Sequence, residues 1–223
     1  MAAPRIALIH ALFESLAPIW RAFEEAWPEP QTTNLLDDSL SADLFREGRL
    51  TDAMIERFRT LGRYASGQSG LVPAADAILF TCSAFGPAIE AVKADLAIPV
   101  LKPNEAAFEE ALAAGSRIGL MVTFPPSLGM LEGELQTMAE GREIRVSGRG
   151  VEGALAALKS GDAARHNELI AEAASTLPEV DAIVLGQFSM AQAAPAIAAR
   201  LPGRRIITTP DSAVRKLKAR LGA

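Results

Sequence analysis

Asp76-Ala-Ile-Leu-Phe-Thr-Cys82 and Asp181-Ala-Ile-Val-Leu-Gly-Gln187 are one pattern written twice. Each is an aspartate followed by a short apolar run, a polar turn and then an alanine-rich stretch of helical character. Successive apolar residues over so short a length suit a strand buried on both faces, as in a parallel sheet. Two more pairs repeat in the same order at nearly the same offset. Arg5-Ile-Ala-Leu-Ile-His10 resembles Arg117-Ile-Gly-Leu-Met-Val122, and Pro103-Asn-Glu-Ala-Ala107 parallels Pro210-Asp-Ser-Ala-Val214. The chain therefore reads as a duplication.

Strand-like and helix-like segments alternate along it, which implies parallel strands joined by right-handed helical crossovers. Strands are predicted at 5–10, 32–36, 77–81, 99–102 and 117–122, and within the run 181–187. Leu16, Ile19, Trp20, Phe23 and Trp27 mark one face of a helix over 16–26. Asp37, Asp38 and Asp43 read as an acidic loop, and Thr51 as the cap of a helix from Asp52 to about Ser66. Helices are also expected from about Gly86 and over 104–114, with a break at Gly115. The fold class is α/β: two pseudo-symmetric lobes, 1–115 and 116–223, each with a roughly four-stranded parallel sheet flanked by helices. Part of the first lobe's boundary is shared with the C-terminal helix, and the active site falls between the lobes at the carboxyl ends of the strands.

Composition excludes several classes. The 223 residues carry a net charge of −5, which gives no basic patch for nucleic acid. One cysteine rules out an internal disulfide framework and a cysteine-based zinc cluster, and two distant histidines make a metal site improbable. No apolar run approaches a membrane span, and the N-terminus does not read as a signal peptide, so a cytoplasmic protein is expected. Phosphate-loop, dinucleotide and nucleophile-elbow motifs are missing, which favours chemistry run by side chains without a cofactor.

His10, Cys82, Thr123 and Gln187 all stand at predicted strand ends. Cys82, in Phe80-Thr-Cys-Ser-Ala-Phe-Gly-Pro87, lies between a strand and a helix, where backbone N–H groups and the helix dipole favour a thiolate. A free cysteine can also be a small buried hydrophobe; the setting between Thr81 and Ser83 favours the reactive reading. The amides of Ser83 and Ala84 suit a carboxylate or an oxyanion. Gln187 occupies the matching turn with Phe188 and Ser189 beside it, and its amide donates and accepts hydrogen bonds without exchanging a proton. It either orients a substrate or satisfies its own turn. Thr123 is the contact expected at the third strand tip, while Ser127, after Pro125-Pro126, reads as a helix cap. His10 is equally compatible with binding an anion and with a satisfied structural place. His166 reads as non-catalytic.

On Thr81-Cys82-Ser83, Arg117-Ile-Gly-Leu-Met-Val-Thr123, Asp181-Ala-Ile-Val-Leu-Gly186 and Thr209-Pro-Asp-Ser-Ala-Val214, the chain resembles the aspartate/glutamate racemase superfamily, with its hydantoin racemases, maleate isomerases and arylmalonate decarboxylases. The resemblance implies two α/β lobes, an active site without cofactor, a small carboxylate or amino-acid substrate, and a homodimer. It also implies two cysteines on opposite faces of the substrate α-carbon, one removing a proton and the other delivering one. Cys82 matches the first; Gln187 stands where the second is common. Racemisation by proton transfer, isomerisation by addition of the thiol to an activated double bond, decarboxylation of a malonate-type acid, and carboxylate binding without turnover all remain open. In each, His10, Thr81, Ser83, Ala84, Thr123, Phe188 and Ser189 are the expected substrate contacts.

Overall fold

The computed structural model describes residues 3–222. Its two sheets are built to one plan. In the first, β1 (Arg5–His10) lies between β2 (Gln31–Leu36) and β3 (Ala77–Phe80), with β4 (Val100–Leu101) beyond β3. In the second, β5 (Arg117–Val122) lies between β6 (Arg145–Gly150) and β7 (Ala182–Leu185), with β8 (Ile206–Thr208) outermost. Every pairing is parallel. The expected pair of four-stranded parallel sheets is what the chain forms. After the aspartate, both copies of the motif form inner strands buried at every position, which is why they carry no polar alternation.

The helices follow α1 (Leu16–Ala26), α2 (Ser39–Glu47), α3 (Asp52–Ala65), α4 (Gly86–Asp95), α5 (Glu105–Ala114), α6 (Leu128–Met138), α7 (Ala154–Lys159), α8 (Ala163–Ser175), α9 (Ala194–Arg200) and α10 (Thr209–Arg220). On α1 the predicted apolar face buries Leu16, Ile19 and Phe23, with Trp27 just beyond, but Trp20 stays 44% exposed. Thr51 caps α3 by accepting the Met54 N–H at 3.3 Å, as its residue type predicts. α3 then lies close on α4: a Cβ at Gly62 would stand 2.5 Å from Val92 Cγ1. The ring of Phe58, also on α3, sits 5.3 Å from Phe80 and 4.8 Å from Phe85. Truncating so buried a ring costs about 3–5 kcal/mol.

Two sequence readings change. Asp37 and Asp38 lie in the turn between β2 and α2, as expected, but Asp43 does not, because α2 runs through it. Leu40 and Leu44, one turn apart, pack into the first core, and Gly48 ends the helix at φ 66°, a left-handed conformation suited to glycine. β6 carries no apolar run at all, since it is a half-exposed edge strand of sequence Arg-Val-Ser-Gly-Arg-Gly.

The chain divides into two compact units. One holds the residues up to Pro103 and those from Ala213 on; the other holds Asn104–Ser212. The division falls ahead of Gly115 because α5 packs Ala107, Phe108, Ala111 and Leu112 into the core with Ile118 and Val184 of the second sheet. Helix α10 begins in the second unit and is completed in the first, where Lys218 Nζ donates to the Ala26 carbonyl.

Candidate active site

In the first unit, Cys82 follows β3 in extended conformation and opens a single 3-10 turn, Ser83–Phe85; α4 begins only at Gly86. Its side chain makes no capping hydrogen bond to that turn. Cys82 keeps some exposure as a residue, yet protein atoms crowd its sulfur. Burial therefore pushes the thiol up to about 11, and the Ala84 amide and Ser41 hydroxyl offset only part of that. The resting group at neutral pH is a thiol, which corrects the expected thiolate. The physical reason is burial: protein atoms surround the sulfur, and its side chain makes no capping hydrogen bond to the short turn it heads, so no helix terminus offsets the lost solvation. Ser83 is buried.

His10, at the end of β1, is fully buried in a polar chain that begins on the surface. Trp20 Nε1–H donates to Asn34 Oδ1 at 2.9 Å, and His10 Nε2 lies 3.0 Å from the same oxygen. An indole nitrogen only donates, so the atom it meets is the amide oxygen and His10 Nε2 carries a hydrogen. Burial lowers His10 to about 4, against the Asn34 hydrogen bond, so the ring is neutral at pH 7 and Nδ1 is an acceptor. Thr81 Oγ1 donates to it at 2.8 Å, while the Ser15 hydroxyl beside them donates to the Leu12 carbonyl at 2.7 Å. Both ring nitrogens are thus engaged, and the network holds Thr81, the residue before Cys82.

In the second unit, Thr123 directs its N–H and its hydroxyl, each at 2.7 Å, at Gln187 Oε1. A backbone N–H cannot accept, so the Gln187 oxygen faces Thr123 and the amide NH2 group points elsewhere. Asn104 heads α5 without capping it; its Nδ2 donates instead to the Gly186 carbonyl at 2.7 Å, just before Gln187. Phe188 and Ser189 are buried. His166, on α8, has Nδ1 2.8 Å from the Ala154 carbonyl and Nε2 3.2 Å from the Ser189 carbonyl, which fits its non-catalytic reading. Ser127 heads α6, but its hydroxyl donates back to the Phe124 carbonyl at 2.8 Å rather than capping, because the turn before the helix presents that carbonyl.

His10 and Thr81 are brought together around Ser15, and Thr123 and Gln187 form a second pair. Ser41, Asn34, Ser15 and Asn104 were missed. Ser15 carried a usable signal, since it stands where Ser127 stands in the second copy; Ser41 carried none. Phe85 and Met190, which follow Cys82 and Gln187 by three residues, are packed in cores. Among the described residues no group of three or more histidine, cysteine, aspartate or glutamate side chains could hold a metal, and no helix is long and apolar enough to cross a membrane.

The fold is shared with solved racemases. A glutamate racemase of Bacillus anthracis superposes with a TM-score of 0.72 at 15% identity, covering 100% of this chain and 83% of that one. An aspartate racemase of Picrophilus torridus gives 0.72 at 12% identity, covering 99% and 95%. An allantoin racemase of Pseudomonas fluorescens gives 0.65 at 19%, covering 98% and 92%. No functionally curated protein matches the chain significantly. Residues 41–217, which hold both Asp-Ala-Ile strands and the turns after them, match the family described as Asp/Glu/Hydantoin racemase, and the chain belongs to that family.

Proposed function

We propose that this protein is a cofactor-independent isomerase of racemase type, moving a proton at a carbon next to a carboxylate, with Cys82 as the group that exchanges it. Family membership and the place of Cys82 at the end of an inner strand carry the reading. The substrate is a small amino acid or carboxylic acid. Gln187, with its oxygen held by Thr123, offers an N–H donor to a carboxylate or carbonyl oxygen. Ser83 and Ser189 complete the polar set, with Phe188 as an apolar contact. We assign His10 and Thr81 to holding the thiol turn. The reading carries with it a cytoplasmic homodimer.

A second reaction is favoured by one observation. A thiol near 11 is deprotonated in only about one molecule in 10^4 at pH 7. It is a poor resting base and a ready proton donor to a carbanion. Because Gln187 cannot exchange a proton, delivery to one face only is expected, which is the outcome of decarboxylating a malonate-type acid and protonating the enediolate left behind. One experiment separates the cases: amino acids, hydantoins, maleate and substituted malonates incubated in deuterated water, with label, stereochemistry and mass followed together. Label with inversion supports the isomerase. Loss of CO2 with label on one face supports the decarboxylase. Thermal stabilisation by a dicarboxylate without label or mass change would leave a binding protein, and unchanged turnover in Cys82→Ser would remove the sulfur from any role.

A further inference from the structure

The strands at the margins of the two sheets are not alike. β4 and β8 are two and three residues long, and so short an edge offers little to pair with. β6 has six residues but exposes Arg145 and Arg149, and charge on an edge strand guards it against pairing with another. β2, Gln31-Thr-Thr-Asn-Leu-Leu36, is as long as β6 and holds neither charge nor proline. Among the described residues no strand lies beyond it.

Its free groups follow from the register. The Gln31 N–H donates to the Pro4 carbonyl at 2.8 Å and the Asp37 N–H to the His10 carbonyl at 3.0 Å. Alternate residues of a strand in a parallel ladder bond to the same neighbour, so Thr33 and Leu35 also turn to β1. Thr32, Asn34 and Leu36 therefore direct their N–H and C=O groups away from the sheet. This row is its own complement. About a two-fold axis at Asn34, Thr32 stands opposite Leu36 of an antiparallel copy and Asn34 opposite its equivalent, and each facing pair exchanges both its N–H···O bonds. Thr33 then faces Leu35 and Gln31 faces Asp37, so no like charges meet. β6 turns Gly148 outward by the same alternation, since the Arg145 and Val151 N–H groups donate to β5 and its flanks. A two-fold there would set Arg149 diagonal to its equivalent, where like charges repel.

One face of β2 adds apolar surface. Trp20 donates its Nε1–H to Asn34 Oδ1 at 2.9 Å yet keeps 44% of its surface open, and Leu36 keeps 41%. Thr32, Asn34 and Leu36 share that face, so an axis at Asn34 brings the Trp20 rings and Leu36 side chains of both copies onto one surface. We propose that β2 pairs with β2 of a second copy, antiparallel and centred on Asn34, joining two four-stranded sheets into one. The contact is isologous, a surface meeting itself. It rests on the homodimer of the proposed function and gives it a surface, whichever reaction Cys82 performs. An unrelated extended peptide would satisfy the same backbone row but would bring no second Trp20 and Leu36 to the shared face.

Sedimentation of the intact protein over a wide range of concentration should show a monomer–dimer equilibrium. Emission from Trp20 should move to shorter wavelength as the dimer forms, Trp27 being buried already within one copy. Thr32→Pro removes an outward N–H and spares the β1 ladder, a place where an edge strand tolerates proline. By symmetry two bonds are lost, and the dimer should dissociate about 30-fold more readily. Thr32→Cys combined with Leu36→Cys should give a covalent dimer when diamide takes the two thiol hydrogens of each facing pair. Within one copy the two positions are about 13 Å apart and cannot bridge. This second variant keeps the contact testable if the proline variant fails to fold. A monomer at every concentration, whether or not it binds an extended peptide, would overturn the contact and the homodimer together. A dimer as tight in Thr32→Pro as in the parent, or a cysteine pair that yields no covalent dimer, would overturn the contact alone. A β2-dependent dimer that labels no acid in deuterated water would sink the reaction and leave this interface standing.

Discussion

In the first unit Asp76 donates its N–H to the Arg5 carbonyl at 2.8 Å and takes the Arg5 N–H on its carboxylate at 2.7 Å. In the second, Asp181 makes the same exchange with Arg117 at 2.7 and 2.9 Å, and adds the Ser116 N–H and the Arg117 guanidinium. Likeness continues along the strands. Thr81 N–H meets the Ile9 carbonyl as Gly186 N–H meets Met121, and Ser15 and Ser127 each return a hydroxyl to the carbonyl three residues back. At the carboxyl ends the backbone stays alike while the side chains part: His10 against Val122, Ala11 against Thr123, Thr81 against Gly186, Cys82 against Gln187. Thr81 has no counterpart partly because no space is left for one, since a Cβ at Gly186 would stand 3.0 Å from the Met121 carbonyl. Duplication preserved the frame, and the chemistry was written into a few positions at its rim.

The largest expected effect tests the thiol against the amide. Cys82→Ser should lower solvent-deuterium uptake by at least about 10^2-fold, the usual scale of a lost acid–base group. Gln187→Cys should make the two rims alike and turn one-sided labelling into labelling with inversion, read by chiral chromatography of the product. If that variant retained configuration, the matching of Cys82 with Gln187 would be broken. His10 gives a smaller contrast, since Val122 in its place has nothing to titrate. Its folded value of about 4 lies below the ordinary 6.5, so the unfolded chain binds the proton more readily and stability is lost as pH falls from about 6.5 towards 4. Urea unfolding should show a loss of up to about 3 kcal/mol over that window, and His10→Gln should flatten it.

The smallest contrast compares the two aspartates at the strand starts. Asp181→Ala should lower Tm more than Asp76→Ala, because Asp181 holds more partners. The Arg117 guanidinium and N–H keep the Asp181 carboxyl below the usual carboxylate range, so its contribution is present above that range and fades as pH falls through the folded value. Thermal melts of Asp181→Asn in acid should lack that component. Equal behaviour of both aspartates would mean that the extra bonds at Asp181 add nothing.

Sequence revealed what repeats and what is buried. Inner strands such as Ala77–Phe80 and Ala182–Leu185 announce themselves because both faces are packed, and the α1 stripe because one face is. Edge strand β6 could not be seen, since one side of it meets water and its glycines serve packing: a Cβ at Gly148 would meet Glu132 and Leu128 of α6. Helix α2 was hidden by the aspartates before and within it, of which Asp37 and Asp43 answer Arg57. At the site, Cys82 was legible from its place between strand and helix, but its protonation was not, because that depends on how many atoms surround the sulfur. Ser41 and Asn34 act through contacts that span the fold and leave no local trace in the chain.

Helix α10 has a consequence for synthesis. The unit that starts first along the polypeptide lacks the segment from Ala213 on until the whole of the other unit has been made, whereas Asn104–Ser212 is one unbroken stretch. Since domains tend to fold as units while the ribosome is still adding residues, the later unit can finish before the earlier one. A nascent chain halted just short of Ala213 would carry one mature half and one still waiting for its last helix.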